Sequence, residues 1–318
     1  LVGSTSRGLF TIDIDHNRID PLRLTGSPNL EVIQLVARQG FVVIRAFGSD
    51  GAGSPVDRLL AVSSTFTGPV TDLGALEALR PDVNVPDPRV IPGERPDTFW
   101  VRKPDGSAVE YDGTFRVVRG PVAMQPEDEL RGATAAGLFV GIRAPSGQSF
   151  SLELIDPAQP TGPSRLVGTG VPLTTCGNQL IWFQNDDRGL MHVTDSVSGH
   201  DRTLDPGPNM RPDSEWTCSP DSTRVAGTWF SLSDTPRDVP GVVDLSTGQL
   251  ALTTGGGLDT QPGATSIVWT PAGDRVFLLG ALASGRGPDP MTFRPGDTDL
   301  IHLRLPGQIL DAIVPLPS

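Results

Sequence analysis

The residues of this 318-residue chain that could do chemistry are charged side chains in long, irregular stretches between apolar segments. These stretches contain both signs of charge, a mixture that suits recognition of a polar ligand or of a protein partner. The predicted binding residues are Asp186, Asp187, Arg211, Asp213, Arg237, Arg286 and Asp289, and the same stretches also contain Arg188, Asp238 and Arg294. The alternative is a solvated rim whose charges only keep the protein soluble.

Paired carboxylates could also do acid/base chemistry. Asp186 and Asp213 are the candidate pair for a glycoside hydrolase or lyase, a class in which two carboxyl groups stand roughly 5 to 9.5 Å apart. The sequence has no G-x-S-x-G, H-E-x-x-H or C-x-x-C motif, so the corresponding nucleophile and zinc sites lack their spacing. We therefore predict a noncatalytic protein with no catalytic residue, metal or cofactor, and the carboxylate enzyme is the alternative.

Two segments contain acidic residues at spacings that Ca²⁺ sites use. "DIDHN" at 13 to 17 begins like a calcium loop, but Arg18 replaces the required glycine and no glutamate closes the loop. This segment is predicted to be a strand and a turn. "QNDDRG" at 184 to 189 could hold one cation with the help of backbone carbonyls.

The four histidines are predicted to lie away from these charged stretches. His16 and His200 fall in predicted turns, and His192 and His302 fall in the third strand of a repeated unit. A histidine-centred acid/base or metal site is therefore not expected.

Composition limits the partners and the fold. The 25 basic and 37 acidic residues give a net charge of −12, which opposes binding to phosphate backbones and anionic lipids, so no nucleic-acid partner is expected. No run of 18 apolar residues occurs, and no membrane insertion is expected. The 37 glycines and 31 prolines favour many short strands joined by turns.

The elements that must position the charged residues are repeated hairpins. An apolar strand, an aspartate or serine, a tight turn and a second apolar strand recur at steps of 39 to 60 residues. The carboxylate or hydroxyl accepts hydrogen bonds from the turn amides, and a following glycine supplies positive φ. The seven marker residues are Asp13, Ser64, Asp112, Asp156, Asp195, Asp244 and Arg304.

A second hairpin precedes the first in the later units, as in "EWTCSPDSTRVAGTWF" at 215 to 230. Two hairpins make four strands, and four strands per period in the forties are typical of a propeller blade. We predict an all-β, single-domain, seven-bladed β-propeller of four-stranded antiparallel blades, and a pair of stacked β-sandwiches is the competing fold. The predicted blades are residues 1–26, 27–74, 96–124, 129–168, 169–205, 212–254 and 263–312.

The first unit lacks one strand. Residues 313–318 are predicted to supply it beside residues 1–4, which would close the ring by pairing the two ends of the chain. The alternative is a strand upstream of Leu1.

The turns "SPDS" at 219 to 222 and "TPAGD" at 270 to 274 resemble the Ser-Pro-Asp-Gly turns of TolB-like and WD40-like propeller repeats. The chain as a whole is similar to extracytoplasmic propeller proteins of actinobacteria. This resemblance implies the propeller fold and implies no particular activity.

Cys176 and Cys218 occupy the same place in consecutive units, at the end of the predicted innermost strand. Innermost strands of adjacent blades are neighbours, so the Cα atoms should approach within the disulfide limit of about 7 Å. We predict a disulfide, and two buried free thiols are the alternative. An even cysteine count in an acidic chain favours an oxidising, extracytoplasmic compartment, either secreted or at the cell surface.

The two ends of the predicted blades differ. Turns between strands one and two and between strands three and four share one end, the bottom end, and they are short. The remaining connections share the other end, the top end, and the long ones are 48–57, 75–96, 205–213, 231–239 and 281–298. Because long connections often contain binding residues, we predict a recognition or scaffolding surface for a protein or cell-envelope polysaccharide at the top end.

Overall fold

The computed structural model describes most of the chain and shows only β-structure. The described residues are 2–5, 8–13, 18–22, 30–49, 55–65, 69–76, 90–103, 105–125, 128–143, 150–186, 189–207, 209–232, 237–253, 258, 264–280, 289–303 and 312–314. Within these ranges no helix has the length and apolar character needed to cross a membrane.

The strands are short and follow one another closely along the chain. The first seven are β1 Val2–Thr5, β2 Gly8–Asp13, β3 Arg18–Leu22, β4 Leu30–Arg38, β5 Phe41–Ser49, β6 Pro55–Ser63 and β7 Thr71–Leu76. The next eight are β8 Val90–Pro92, β9 Phe99–Arg102, β10 Ala108–Tyr111, β11 Val117–Val122, β12 Glu129–Thr134, β13 Gly137–Arg143, β14 Phe150–Ile155 and β15 Arg165–Cys176. The remaining twelve are β16 Gln179–Phe183, β17 Met191–Asp195, β18 Asp201–Leu204, β19 Met210–Cys218, β20 Arg224–Ser231, β21 Arg237–Asp244, β22 Leu250–Leu252, β23 Ala264–Trp269, β24 Val276–Gly280, β25 Asp289–Phe293, β26 Ile301–His302 and β27 Ala312–Val314.

These strands pair in antiparallel groups of four. The described strands form five four-stranded sheets and one seven-stranded sheet. The larger sheet divides within β15, because residues 165–170 pair with β14 and residues 171–176 pair with β16. In chain order the groups are β27 with β1–β3 (first), β4–β7 (second), β8–β11 (third), β12–β14 with residues 165–170 (fourth), residues 171–176 with β16–β18 (fifth), β19–β22 (sixth) and β23–β26 (seventh).

The first strands of consecutive groups touch one another in a closed circuit. β27 contacts β4, and the contacts continue through β8, β12, β15, β19 and β23 back to β27. The predicted pairing of the chain ends is present, since Val2 pairs with Val314 and Ser4 with Ala312. The predicted continuation to residue 318 lies outside the described residues. The molecule is therefore an all-β propeller of antiparallel sheets.

The core lies between consecutive groups of strands. Six clusters of buried apolar side chains are described, and each is shared by two neighbouring groups. Val225 packs against the fifth group, whereas the next residue, Ala226, packs against the seventh. Two stacked sandwiches would concentrate the core in two places, so this competing prediction is wrong.

The predicted turn aspartates close the bottom-end hairpins. Asp244 Oδ1 accepts hydrogen bonds from the Ser246 and Thr247 amides at 2.9 and 2.8 Å, and Gly248 follows with a φ of 75°. Asp112, Asp156 and Asp195 accept turn amides in the same way. The Asp13 side chain lies outside the described residues.

The last marker was placed wrongly. The predicted marker Arg304 lies outside the described residues, but the turn between strands three and four of the seventh group is at residues 294–297, where Asp297 accepts the Arg294 amide at 2.8 Å. Arg294 therefore belongs to the bottom end and not to the predicted top-end ring, and His302 lies in a fourth strand rather than a third. The register failed because this turn begins with an arginine where the other copies have an acid or a hydroxyl.

Candidate functional site

The predicted binding residues that the structure describes lie at the top end, mostly at the ends of strands. Arg211 and Asp213 are in β19, Arg237 begins β21 and Asp289 begins β25, whereas Asp186 lies in the connection after β16. Asp187, Arg188 and Arg286 lie outside the described residues, as does the Asp289 side chain. Prolines and charges made these segments resemble loops, although strand starts tolerate both.

The turn that Asp186 closes lies against Arg211 at the junction of the fifth and sixth groups. Asp186 Oδ1 accepts the Gly189 amide at 3.0 Å, which closes the connection between β16 and β17. Gly189 has a φ of 58°, and a side chain there would lie 2.9 Å from Arg211 Cγ. Glycine is required because the turn rests directly against the half-buried arginine.

Asp213 holds a tryptophan next to this junction. Its carbonyl accepts the Trp216 indole N–H at 2.6 Å, and the Trp216 ring packs edge-on against Trp229 with centroids 5.1 Å apart. This contact fixes the backbone between Arg211 and the core. Arg237, on the neighbouring third strand, is exposed, whereas Asp238 is almost completely buried.

A second charged cluster, at the top end of the third and fourth groups, was missed by the sequence predictions. The carboxylate of Glu129 is buried and binds two arginines, Arg131 and Arg143, the latter at 2.8 Å. The Arg143 guanidinium also lies 4.9 Å from the centre of the Phe150 ring. The cluster thus orients two cationic side chains beside the start of a first strand.

Arg102 anchors the connection that enters this cluster. It is 2% exposed and donates to the Gln125 carbonyl at 2.6 Å and to the carbonyl of Asp128. The Asp128 carboxylate accepts the Gln125 amide at 2.6 Å, and this local hydrogen bond stabilises the connection between β11 and β12.

A further ion pair lies inside the second group. Arg45 and Asp57 are both nearly inaccessible to solvent, and two guanidinium nitrogens bind the carboxylate, with the shortest contact at 2.6 Å. The signal that could have found Arg45 and Arg102 is an arginine within an apolar strand, in "FVVIRAFGS" and "FWVR".

The top-end carboxylates are largely committed to internal donors. Asp57 and Glu129 bind arginines, and Asp128 and Asp186 bind backbone amides. Within the described ranges, no group of three or more histidine, cysteine, aspartate or glutamate side chains is arranged to hold a metal ion. Asp187, part of the segment 184–189 that could hold a cation, lies outside those ranges. The acid/base role of Asp186 with Asp213 stays a prediction.

The predicted disulfide is confirmed. Cys176 and Cys218 are bonded, with Cα atoms 5.0 Å apart, and they join the ends of two adjacent first strands, β15 and β19. The alternative of two free thiols is wrong. The bond lies at the bottom end of the same two groups whose top end holds Asp186 and Arg211.

No protein-family model and no curated protein matches the chain. Among solved structures, oligogalacturonate lyase from Vibrio parahaemolyticus aligns with a TM-score of 0.58 and 10% identity, over 92% of this chain and 83% of that chain. A putative 6-phosphogluconolactonase from Bacteroides fragilis aligns with a TM-score of 0.53 and 13% identity, over 98% and 96%. TolB from Acinetobacter baumannii is also similar, with a TM-score of 0.39 and 12% identity over 83% and 68%, a similarity too low to support further comparison. Oligogalacturonate lyase is a β-propeller, so the predicted resemblance to propeller proteins is confirmed at the level of the fold alone.

Proposed function

We propose that this protein is a noncatalytic, extracytoplasmic recognition or scaffolding module with seven blades that binds its partner at the top end. The closed circuit of first strands, β27, β4, β8, β12, β15, β19 and β23, supports the count of seven. The Cys176–Cys218 bond supports an oxidising compartment.

The observation on which the binding role rests is the contact of Arg211 with the turn that Asp186 closes, here called the junction. A half-buried arginine held against a rigid turn offers a charged group with little freedom to lose on binding, which favours recognition. The exposed Arg237 extends this surface onto the next strands of the sixth group. The proposed contact residues are Asp186, Asp187, Arg211, Asp213, Arg237, Arg286 and Asp289.

The bonds made by three of the carboxylates support the proposed noncatalytic role. A general acid or base must exchange a proton with substrate. Asp57 and Glu129 instead neutralise arginines within the protein, and Asp186 holds a turn amide. The proposed partner is a protein or a cell-envelope polysaccharide.

The test is capture of a partner from cell-envelope extracts by the immobilised protein. Arg211→Ala should weaken capture, whereas Arg294→Ala, a matched change of an exposed arginine at the bottom end, should leave it unchanged. Protease treatment of the extract distinguishes a protein from a polysaccharide. Equal capture by both variants would show that the junction is not part of the interface. New reducing ends or unsaturated products released from added polysaccharide would show that the protein is a hydrolase or a lyase rather than a noncatalytic binding module.

A further inference from the structure

The bottom end contains a groove that the proposed function does not use. It is open, has a volume of about 560 Å³ and runs between the fifth and sixth groups. Ligand sites typically span roughly 300 to 1,000 Å³, so it is large enough for one small molecule. The lining residues are Gln179, Val193, Asp195, Ser198, His200, Arg202, Ser222, Thr223, Leu245 and Ser246.

The walls of the groove are held by hydrogen bonds from both groups. Arg202 reaches across from the fifth group and donates to the carbonyls of Leu245 and Ser246, the latter at 3.0 Å. The Leu245 amide donates to the Thr223 carbonyl at 2.9 Å, which joins the two turns of the sixth group. A groove whose walls are already fixed loses little entropy when a ligand enters.

The charges at the groove are balanced and already engaged. Asp195 accepts the Ser198 amide at 2.7 Å and the Gln179 side-chain N–H at 3.1 Å. Arg202 is bound to the two carbonyls across the groove. Because one carboxylate and one guanidinium face the same space and both have internal partners, the groove has no excess charge of either sign with which to select an ion.

Besides these charged groups, the lining of the groove presents hydroxyl groups and an apolar surface. Ser198, Ser222, Thr223 and Ser246 contribute hydroxyls from four exposed positions. The hydroxyls of Ser198, Thr223 and Ser246 donate to the turn aspartates Asp195, Asp221 and Asp244 and retain acceptor lone pairs, whereas the Ser222 hydroxyl bonds to no other described residue. Val193 and Leu245 are buried and contribute the apolar surface. Each hydroxyl can both donate and accept, which matches a ligand that itself presents hydroxyls.

From this lining we infer that the groove between the fifth and sixth groups binds one unit of a neutral saccharide. Its hydroxyls exchange hydrogen bonds with Ser222 and Thr223, and its C–H face lies on Leu245. An isolated sugar in an open groove should bind with a dissociation constant on the order of 1 mM. The inference is independent of the top-end site, because it concerns the opposite end of the sheets.

The experiment is saturation-transfer NMR of the whole protein with glucose, N-acetylglucosamine and cellobiose as probes, each titrated to saturation. Thr223→Trp places an indole in the groove and should weaken binding by about tenfold or more. The matched control is Ala272→Trp, which adds the same ring to an exposed position in the corresponding turn of the seventh group and should bind like the parent. Arg211→Ala should also bind normally, which separates this site from the proposed top-end interface.

A second variant tests the inference in case Thr223→Trp does not fold. Ser222→Ala combined with Thr223→Ala removes the two hydroxyls proposed to contact the sugar with little change in shape, and it should weaken binding about fivefold or more. No saturable signal from any of the three sugars would overturn the inference, as would unchanged binding in the double variant. Tighter binding of inorganic phosphate or of a peptide than of the sugars would also overturn it.

Discussion

The turn aspartates of the bottom end and two buried carboxylates toward the top end are satisfied in different ways. At the bottom end, Asp195 and Asp244 are close to solvent and accept amides from the turn that immediately follows them. Toward the top end, Asp57 and Glu129 are buried, and each binds an arginine from another strand, Arg45 and Arg143 respectively. The turn aspartates therefore contribute to stability through local hydrogen bonds, whereas Asp57 and Glu129 contribute through buried ion pairs.

The difference is visible in the ionisation of the turn aspartates. Hydrogen bonds from the Ser246 hydroxyl, followed by the Thr247 amide, lower the pKa of Asp244 from 3.8 to about 2. Donors in their own turns also lower the pKa values of Asp112 and Asp195, led by the Thr114 hydroxyl and the Ser198 amide. These donors stabilise the charged carboxylate, because each supplies a hydrogen bond that the protonated form uses less well.

The largest expected effect comes from breaking a buried ion pair. Arg45→Ala leaves the carboxylate of Asp57 buried without its cation, which should lower the free energy of unfolding by about 3 to 5 kcal/mol. Arg58→Ala is the control in the same sheet, since its pair with Asp72 is exposed on both sides and should contribute less than about 1 kcal/mol. Denaturant unfolding of both variants measures the difference, and equal losses would show that the two pairs do not differ as their burial suggests.

The disulfide is the exception to local stabilisation at the bottom end. Replacing Cys176 and Cys218 together with alanine should lower the free energy of unfolding by about 2 to 4 kcal/mol, because the bond closes a long loop in the unfolded chain. The measurement is denaturant unfolding of the double variant beside the oxidised and the reduced parent. If the three proteins unfold at the same denaturant concentration, the disulfide contributes nothing to the stability of the folded protein.

A single turn aspartate should matter less. Asp244→Ala leaves the Ser246 and Thr247 amides to water and should lower the free energy of unfolding by about 1 kcal/mol. Asp244→Asn retains an acceptor oxygen and should cost less than the alanine variant. Asp299→Ala, at an exposed position outside the aspartate turns, is the control and should have little effect in the same unfolding assay.

The smallest effect is the pH dependence of these turns. Because the folded pKa of Asp244 is lowered from 3.8 to about 2, its stabilising contribution is complete above about pH 4 and is lost as the pH falls toward 2. Unfolding measured across this window should show a shallower loss of stability for Asp244→Asn than for the parent. A parallel decline in both proteins would mean that the charge of Asp244 contributes nothing.

The predictions that succeeded came from short-range chemistry within turns and from the equivalence of positions in successive repeats. The turns at Asp112, Asp156, Asp195 and Asp244 were found because the residues that make each turn are adjacent in the chain. The cysteine pair was found because equivalent positions in a repeated fold are neighbours in space. The last repeat was misplaced because its turn opens with Arg294, which lacks the marker chemistry.

The predictions that failed concern where strands begin and which charges meet. The segment 75–96 was predicted to be a long connection, but it contains β8, whose two buried residues Val90 and Ile91 give too short an apolar signal to distinguish it from a loop. The Glu129 cluster was missed because no spacing relates it to the other charged stretches. Its position beside the start of a first strand becomes visible only when the third and fourth groups are packed together.

By itself, the sequence determined that this protein consists of repeated antiparallel hairpins with a cysteine pair in two consecutive repeats, because strand patterns and turn hydrogen bonds depend on neighbours along the chain. Only the tertiary structure decided which charged side chains are buried together and that a groove separates the fifth and sixth groups at the bottom end. These features depend on distances between segments far apart in the chain, and the packing of one sheet against the next sets those distances.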